Sequence, residues 1–253
     1  MNATPLTLRK KLALELWRQR EQNVRREHPL KQLFWECTLR CNAACLHCGS
    51  DCRISSEVND MPASDFLRVI DSLTPHVDPH TTFIILTGGE PLMRRDLEKV
   101  GRALYDREYP WGIVSNGILL DRRRFDALLG SGIHTATVSL DGFREEHTWM
   151  RGHPKAFENA SNAIRIMAAE PDFIFDVVTC VNQRNLPRLA EFKEYLISLG
   201  VRAWRIFTIF PVGRARQYPE LQLSNEQFTQ VMDFIAATRK EGRIAVNFAC
   251  EGF

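Results

Sequence analysis

Residues 41–48 read Cys-Asn-Ala-Ala-Cys-Leu-His-Cys, three cysteines at the spacing CxxxCxxC. Directly before them, Gln32 to Thr38 is rich in aromatic and branched residues and reads as a short β-strand. The cysteines therefore lie on a loop leaving the end of a strand. Three thiolates on one short loop can converge on a single metal centre. Iron–sulfur clusters are held by such thiolates, usually four of them. A triad leaves one iron of a 4Fe-4S cluster open to a small molecule, which suggests chemistry at the cluster more than electron storage. Cys37 and Cys52 flank the loop, but position 44 is Ala and only Cys41, Cys45 and Cys48 keep the spacing. A second reading stays open on these residues: a Cys-rich loop containing His47 can bind structural zinc.

Outward from this loop the chain alternates strand and helix. Strand patterns cover 33–38, 82–87, 112–115, 135–140, 173–181 and 203–210, with helical patterns near 63–74, 95–106, 122–129, 155–169 and 187–199. Asp121 suits an N-cap, with Gly130 just beyond that helix, and Pro187 suits a first helical turn. Phe157, Ala160, Ile164 and Met167 form an apolar stripe at helical spacing. Ser224 and Gln227 read as a capping box opening a sixth helix over 224–240. Six βα units in a row predict an α/β fold, a parallel sheet with outer helices that curls into a barrel or open barrel. Sites in such folds gather where strands end, so each chemical motif should fall at the C-terminal end of a strand.

The motifs obey that rule. Thr87-Gly88-Gly89-Glu90-Pro91 follows the second strand. Two glycines let backbone approach a ligand closely, and Glu90 adds an acceptor; the plain alternative is a Gly-Pro turn. The third strand ends in Ser115-Asn116-Gly117 and the fourth in Ser139-Leu140-Asp141-Gly142. Their hydroxyl, amide and carboxylate groups can hold a ribose diol, although Asn-Gly and Asp-Gly are also turn dipeptides. Arg151 offers a guanidinium fork for a carboxylate, or a surface ion pair with Glu145 or Glu146. His147 reads as structural, and Cys180, between valines, as an inert buried thiol. No acid–base pair stands out, and no catalytic side chain is assigned.

Together these stretches resemble the radical S-adenosylmethionine (SAM) enzymes. Thr38 and Asn42 match that family's pattern around the triad, and His47 is similar to its peptide-modifying branch with SPASM or twitch extensions. Pro211-Val212-Gly213-Arg214-Ala215 resembles the turn after the last barrel strand of that branch, where backbone passes the adenine. The resemblance implies a partial (βα)6 barrel, a 4Fe-4S cluster on Cys41, Cys45 and Cys48, and SAM as cofactor. It implies that Gly88, Gly89 and Glu90 hold the SAM amino group, Arg151 its carboxylate, and Ser115, Asn116, Ser139 and Asp141 its sugar and methionine portions. The implied reaction is reductive cleavage of SAM to a 5′-deoxyadenosyl radical that abstracts hydrogen from a peptide or protein, with a small protein as electron donor. The alternative is a non-catalytic iron–sulfur or zinc binding module.

The rest of the sequence sets the boundaries. The chain has 253 residues, 44% hydrophobic and 25% charged, with net charge +2, which gives no case for nucleic acid. Seven cysteines, three clustered, point to metal or redox chemistry in a reducing compartment, the cytoplasm, rather than to a disulfide scaffold. No apolar run approaches a membrane span. Residues 6–27 read as a helix with Leu8, Leu12 and Leu16 on one side and basic residues around the rest, ended by Pro29. It is expected to pack on the domain with a solvated outer face. The expected organisation is an N-terminal helical extension over 1–30, a core over 31–241 and, from 242 to 253, the start of a truncated C-terminal extension. There Val246 and Phe248 share one face of a strand-like stretch, and Cys250 is either a first auxiliary-cluster ligand or a buried thiol.

Overall fold

A computed structural model describes residues 6–249; Cys250 lies outside the described residues. Seven parallel strands form one open sheet in sequential order: β1 (Gln32–Glu36), β2 (Phe83–Thr87), β3 (Trp111–Ser115), β4 (Thr135–Ser139), β5 (Ile174–Val181), β6 (Ala203–Thr208) and β7 (Ala245–Phe248). The six expected strands are all present. The stretch near 246 adds a seventh, its Val246 opposite Trp204 of β6.

Alternation along each strand divides the sheet into two faces. Trp35, Ile84, Leu86, Ile113, Val138, Val177, Trp204 and Ile206 point to the helices and are buried in the main core. Phe34, Ile85, Val114, Thr137, Val178, Arg205 and Phe207 take the opposite, concave face and line a cavity of about 490 Å³. The covering helices are α2 (Ala63–Leu73), α3 (Leu97–Tyr105), α4 (Arg122–Gly130), α6 (Ala156–Ala168), α7 (Leu189–Ser198) and α8 (Asn225–Glu241), with α1 (Leu8–Glu27) and α5 (Arg144–Arg151) elsewhere. Asp121 caps α4 through Arg124 N–H, and Ser224 and Gln227 close the capping box of α8.

Two sequence expectations change. β1 stops at Glu36, so Cys37 and Thr38 belong to the loop, although Cys37 N–H still donates to Thr87 O at 2.9 Å. α1 forms but does not pack on the domain: it buries no residue, and Leu8, Leu12 and Leu16 are 73, 58 and 67% exposed. Its chain turns away at His28, a left-handed C-cap with φ 44°. No helix among the described residues is long and apolar enough to cross a membrane.

Helix and sheet approach closely where α3 meets β3. A Cβ on Gly101 would stand 2.1 Å from the fully buried Trp111 ring. Gly101→Ala is therefore expected to destabilise the fold by about 1–3 kcal/mol through overpacking. That outweighs the roughly 1 kcal/mol that alanine gains in helix propensity. Denaturant unfolding of the two proteins decides it; equal or higher stability would refute the close-contact assignment.

Candidate metal centre and active site

The cysteine loop leaves β1 and is pinned by backbone from three directions. Cys41 N–H donates to Arg53 O at 2.6 Å, Ala44 N–H to Arg151 O at 2.9 Å, and Leu46 N–H to Met150 O at 2.9 Å. Arg214 closes the third side: its N–H reaches Cys48 O at 3.0 Å, its Nε reaches Cys45 O at 2.8 Å, and its Nη1 reaches Cys52 O at 3.2 Å. Cys41 and Cys45 are buried and Cys48 half-buried. The sulfurs meet donors: Ala43 N–H lies 3.4 Å and Asn116 Nδ2 3.8 Å from Cys41 Sγ, and Arg151 Nη1 lies 3.8 Å from Cys45 Sγ.

Burial pushes the Cys41 thiol up to about 11 and raises that of Cys45 as well. Such sulfurs become thiolates only when a cation compensates them. Among the described residues, no group of three or more His, Cys, Asp or Glu side chains is placed to hold a metal ion.

The glycines after β2 make a close approach, and their neighbour is the root of the cysteine loop. A Cβ on Gly88, at φ 133°, would stand 2.3 Å from Thr38 O, and one on Gly89 would stand 2.3 Å from Arg40 O. Gly89 N–H donates to Thr38 O at 2.7 Å and Glu90 N–H to Arg40 O at 2.9 Å. Glu90 is fully buried behind this contact. Its carboxylate accepts from Ser115 Oγ and Asn116 N–H, both at 2.8 Å, and from Leu92 N–H at 3.2 Å. Burial nevertheless pushes its pKa up to about 7. Asn116 in turn donates through Nδ2 to Asn42 Oδ1 at 2.8 Å, which ties the end of β3 to the cysteine loop.

The end of β4 holds a buried ion pair. Asp141 is fully buried; its Oδ2 accepts from Arg151 Nε at 2.7 Å and its Oδ1 from Cys180 N–H at 2.9 Å. Burial works against this charge, but the Arg151 guanidinium beside it holds the carboxyl well below the usual range. Asp141 N–H donates to His147 Nδ1 at 3.0 Å, which leaves the imidazole proton on Nε2. Arg151 is 7% exposed and pairs with neither Glu145, which lies by Arg184, nor Glu146, which lies by Arg188. His147 and Arg151 sit on α5, a helix the periodicity analysis did not find. Its inward face carries Glu146, His147 and Arg151 beside a single apolar residue, Met150, so no apolar stripe marked it. Gly152 at φ 59°, one residue past the end, is the signal that could have placed it.

Cys41, Cys45, Cys48, Gly88, Gly89, Ser115, Asn116, Ser139 and Arg151 thus line one cavity of about 190 Å³ at the C-terminal ends of β1 to β4. Glu90 and Asp141 stand behind its wall and hold the groups that line it. Sequence reasoning missed the Arg214 clamp and the presence of Cys52 in the cavity. His47 Nδ1 is buried there without a hydrogen-bond partner. Three thiols, a guanidinium and an unpartnered imidazole nitrogen fit a cluster with one open iron and an amino-acid-bearing ligand.

A family model described as the radical SAM superfamily matches residues 35–196. The chain belongs to the radical SAM superfamily. It is 30% identical over 219 residues to an AdoMet-dependent heme synthase of Methanosarcina barkeri, covering 86% of this chain and 61% of that protein. It is 25% identical over 169 residues to a PqqA peptide cyclase of Granulibacter bethesdensis, covering 66% of this chain and 44% of that protein. SuiB of Streptococcus suis, solved with its precursor peptide SuiA, shares the fold at a TM-score of 0.67 and 14% identity, covering 99% of this chain and 57% of that chain. The chain therefore spans less than two thirds of the length of these relatives. Members of this superfamily use a 4Fe-4S cluster and SAM.

Removing Arg151 leaves Asp141 charged and unpaired in the interior. Arg151→Ala is expected to cost about 3–5 kcal/mol of stability. Adding Asp141→Asn to it should recover part of the loss. Anaerobic denaturant unfolding measures both; a single variant as stable as the parent would show that the pair does not stabilise this wall.

Proposed function

We propose that Cys41, Cys45 and Cys48 hold the three protein-bound irons of the 4Fe-4S cluster and that SAM occupies the adjoining cavity. When bound together, cluster and SAM supply reductive cleavage of a carbon–sulfur bond and a 5′-deoxyadenosyl radical. The observation that carries the reading is convergence: the triad, the Gly88–Gly89 backbone, Ser139 and Arg151 all line one cavity. Backbone acceptors on the glycine loop suit the SAM ammonium, and Arg151 suits its carboxylate. The Ser139 hydroxyl and Asn116 suit the sugar. Glu90 and Asp141 act as positioning residues that fix Asn116 and Arg151. Protein donors at Cys41 and Cys45 temper the charge of the cluster, a lever on its reduction potential.

The substrate in this proposal is a peptide or protein side chain. The concave face supports it: the sheet stays open between β1 and β7, and Val114 lines both the cofactor cavity and the larger cavity on that face. A segment entering through the open side would bring a side chain to the radical. A small electron-carrier protein in the cytoplasm serves as reductant in this reading. The heme synthase relative favours a second reading, a tetrapyrrole, for which the Phe34, Phe83 and Phe207 walls with Arg205 among them also suit.

Replacing Cys41, Cys45 and Cys48 together by Ala should abolish iron binding in anaerobically reconstituted protein. Retention of about four irons per chain would refute the ligand assignment. With the loaded, reduced enzyme, 5′-deoxyadenosine formation should rise severalfold on adding peptides encoded beside its gene. A rise with iron coproporphyrin and none with peptide would replace the peptide reading by the tetrapyrrole one.

A further inference from the structure

The cavity holds a fourth thiol outside the triad's spacing. Cys52 is 5% exposed and lines the same cavity as Cys41, Cys45 and Cys48. It belongs to the buried cluster of Cys41 and Cys45, against which Cys48 packs. Protein contacts alone keep Cys48 and Cys52 together: Arg214 holds Cys48 O through its N–H and Cys52 O through Nη1, at 3.0 and 3.2 Å. On the other flank, Arg53 O accepts from Cys41 N–H at 2.6 Å, and residues 40 and 53 form an isolated parallel bridge. Between the two cysteines run Gly49, Ser50 and Asp51, a bent segment whose last residue has φ 48°. Cys37, by contrast, is 1% exposed within the main helix-facing core.

We propose that Cys48 and Cys52 close a disulfide when the cluster is lost, a reversible modification that shields a cluster ligand from irreversible oxidation. The proposal rests on reading Cys48 as a ligand. The oxidant is a low-molecular-weight disulfide. Cys48, the more accessible sulfur, attacks it as thiolate, forming a mixed disulfide and expelling one small thiolate. Cys52 thiolate then attacks the Cys48 sulfur and expels the second. Two protein thiols are oxidised, one small disulfide is reduced to two thiols, and the two protons given up by Cys48 and Cys52 pass to those products. Exposed to peroxide, a thiol left open would instead advance through sulfenic to sulfinic and sulfonic acids, the last two of which reductants do not reverse. The bridged form returns to two thiols on reduction and can be reloaded.

The test uses the full chain, stripped of its cluster anaerobically with chelator and then treated with oxidised glutathione. Trypsin cleavage after Arg40 and Arg53 releases residues 41–53, which carry all four cysteines. The expected product has lost two hydrogens and yields backbone fragments between residues 41 and 48 but none between 48 and 52. Cys52→Ser should lose this product and, after peroxide, gain severalfold more two-oxygen adduct on Cys48. Dithiothreitol followed by iron and sulfide should restore iron binding to the oxidised parent and not to peroxide-treated Cys52→Ser. A bridge joining Cys41 to Cys45 or to Cys52, or glutathione left on Cys48 of the parent, would overturn the proposal. Cys52→Ser kept anaerobic throughout should still load iron; failure to do so would make Cys52 a cluster ligand and overturn it as well. Failure of the triad reading shows separately, as iron retained by the triple alanine variant.

Discussion

A charged pair buried in the wall of the cavity sets the geometry around it. Asp141 and Arg151 are both out of water, 2.7 Å apart. Their desolvation is costly, and the pair persists because its remaining polar atoms are also satisfied. Asp141 binds β5 through Cys180 N–H and the next turn through Asn185, whose Nδ2 donates to Asp141 O at 2.6 Å. Arg151 spends its other arm on Cys45 and gives its carbonyl to Ala44 N–H. One pair therefore joins β4, α5, β5 and the cysteine loop. The position of the second cysteine follows from it rather than from packing of apolar side chains.

The opposite wall works by sterics. The backbones of residues 88–90 and 38–40 touch so closely that a side chain on either glycine would collide with carbonyl oxygen. Their mutual hydrogen bonds replace the strand ladder where β1 and β2 end. Glu90 then fastens the end of β3 to the same contact through Ser115 and Asn116. Four strand ends are thus locked to one another by contacts within the protein itself. Pre-organisation of this kind lowers the entropic cost of ordering a loop around a cluster.

What could be read from sequence was whatever rests on period or spacing. The strand and helix alternation, the Asp121 and Ser224 caps and the cysteine triad all carry local signals, and the structure has each. The direction a polar side chain faces has no such signal. Glu90 and Asp141 were legible as important, but the same residue types serve a ligand or a wall. The structure turns both inward, where Ser115, Asn116 and Arg151 saturate their oxygens. α5 escaped because Glu146, His147 and Arg151 share its buried side with Met150 alone among apolar residues, so a hydrophobic period never builds up. α1 is the reverse case: its leucine period was plain, yet Leu8, Leu12 and Leu16 lie exposed. Period announces a helix and not its neighbour.

The two faces of the sheet divide the labour. The helix-facing side is close-packed, with Trp111 and Trp204 fully buried, and supplies the rigidity. The concave side keeps a cavity because its residues alternate with those core positions and have no layer to pack against. Arg205, Asp176 and Thr137 hold one another there across β4, β5 and β6, with Arg205 Nη2 2.8 Å from Thr137 Oγ1. That network keeps a charge among aromatic walls without leaving it unpaired. A closed sheet would fill this space with its own side chains. Among the described residues β1 and β7 are the sheet's edges, and the concave face below the strand ends stays open. In the proposed reading, the openness that would admit a substrate would also admit oxidants to the half-buried Cys48, the proposed ligand that shares its cavity with a further thiol, Cys52.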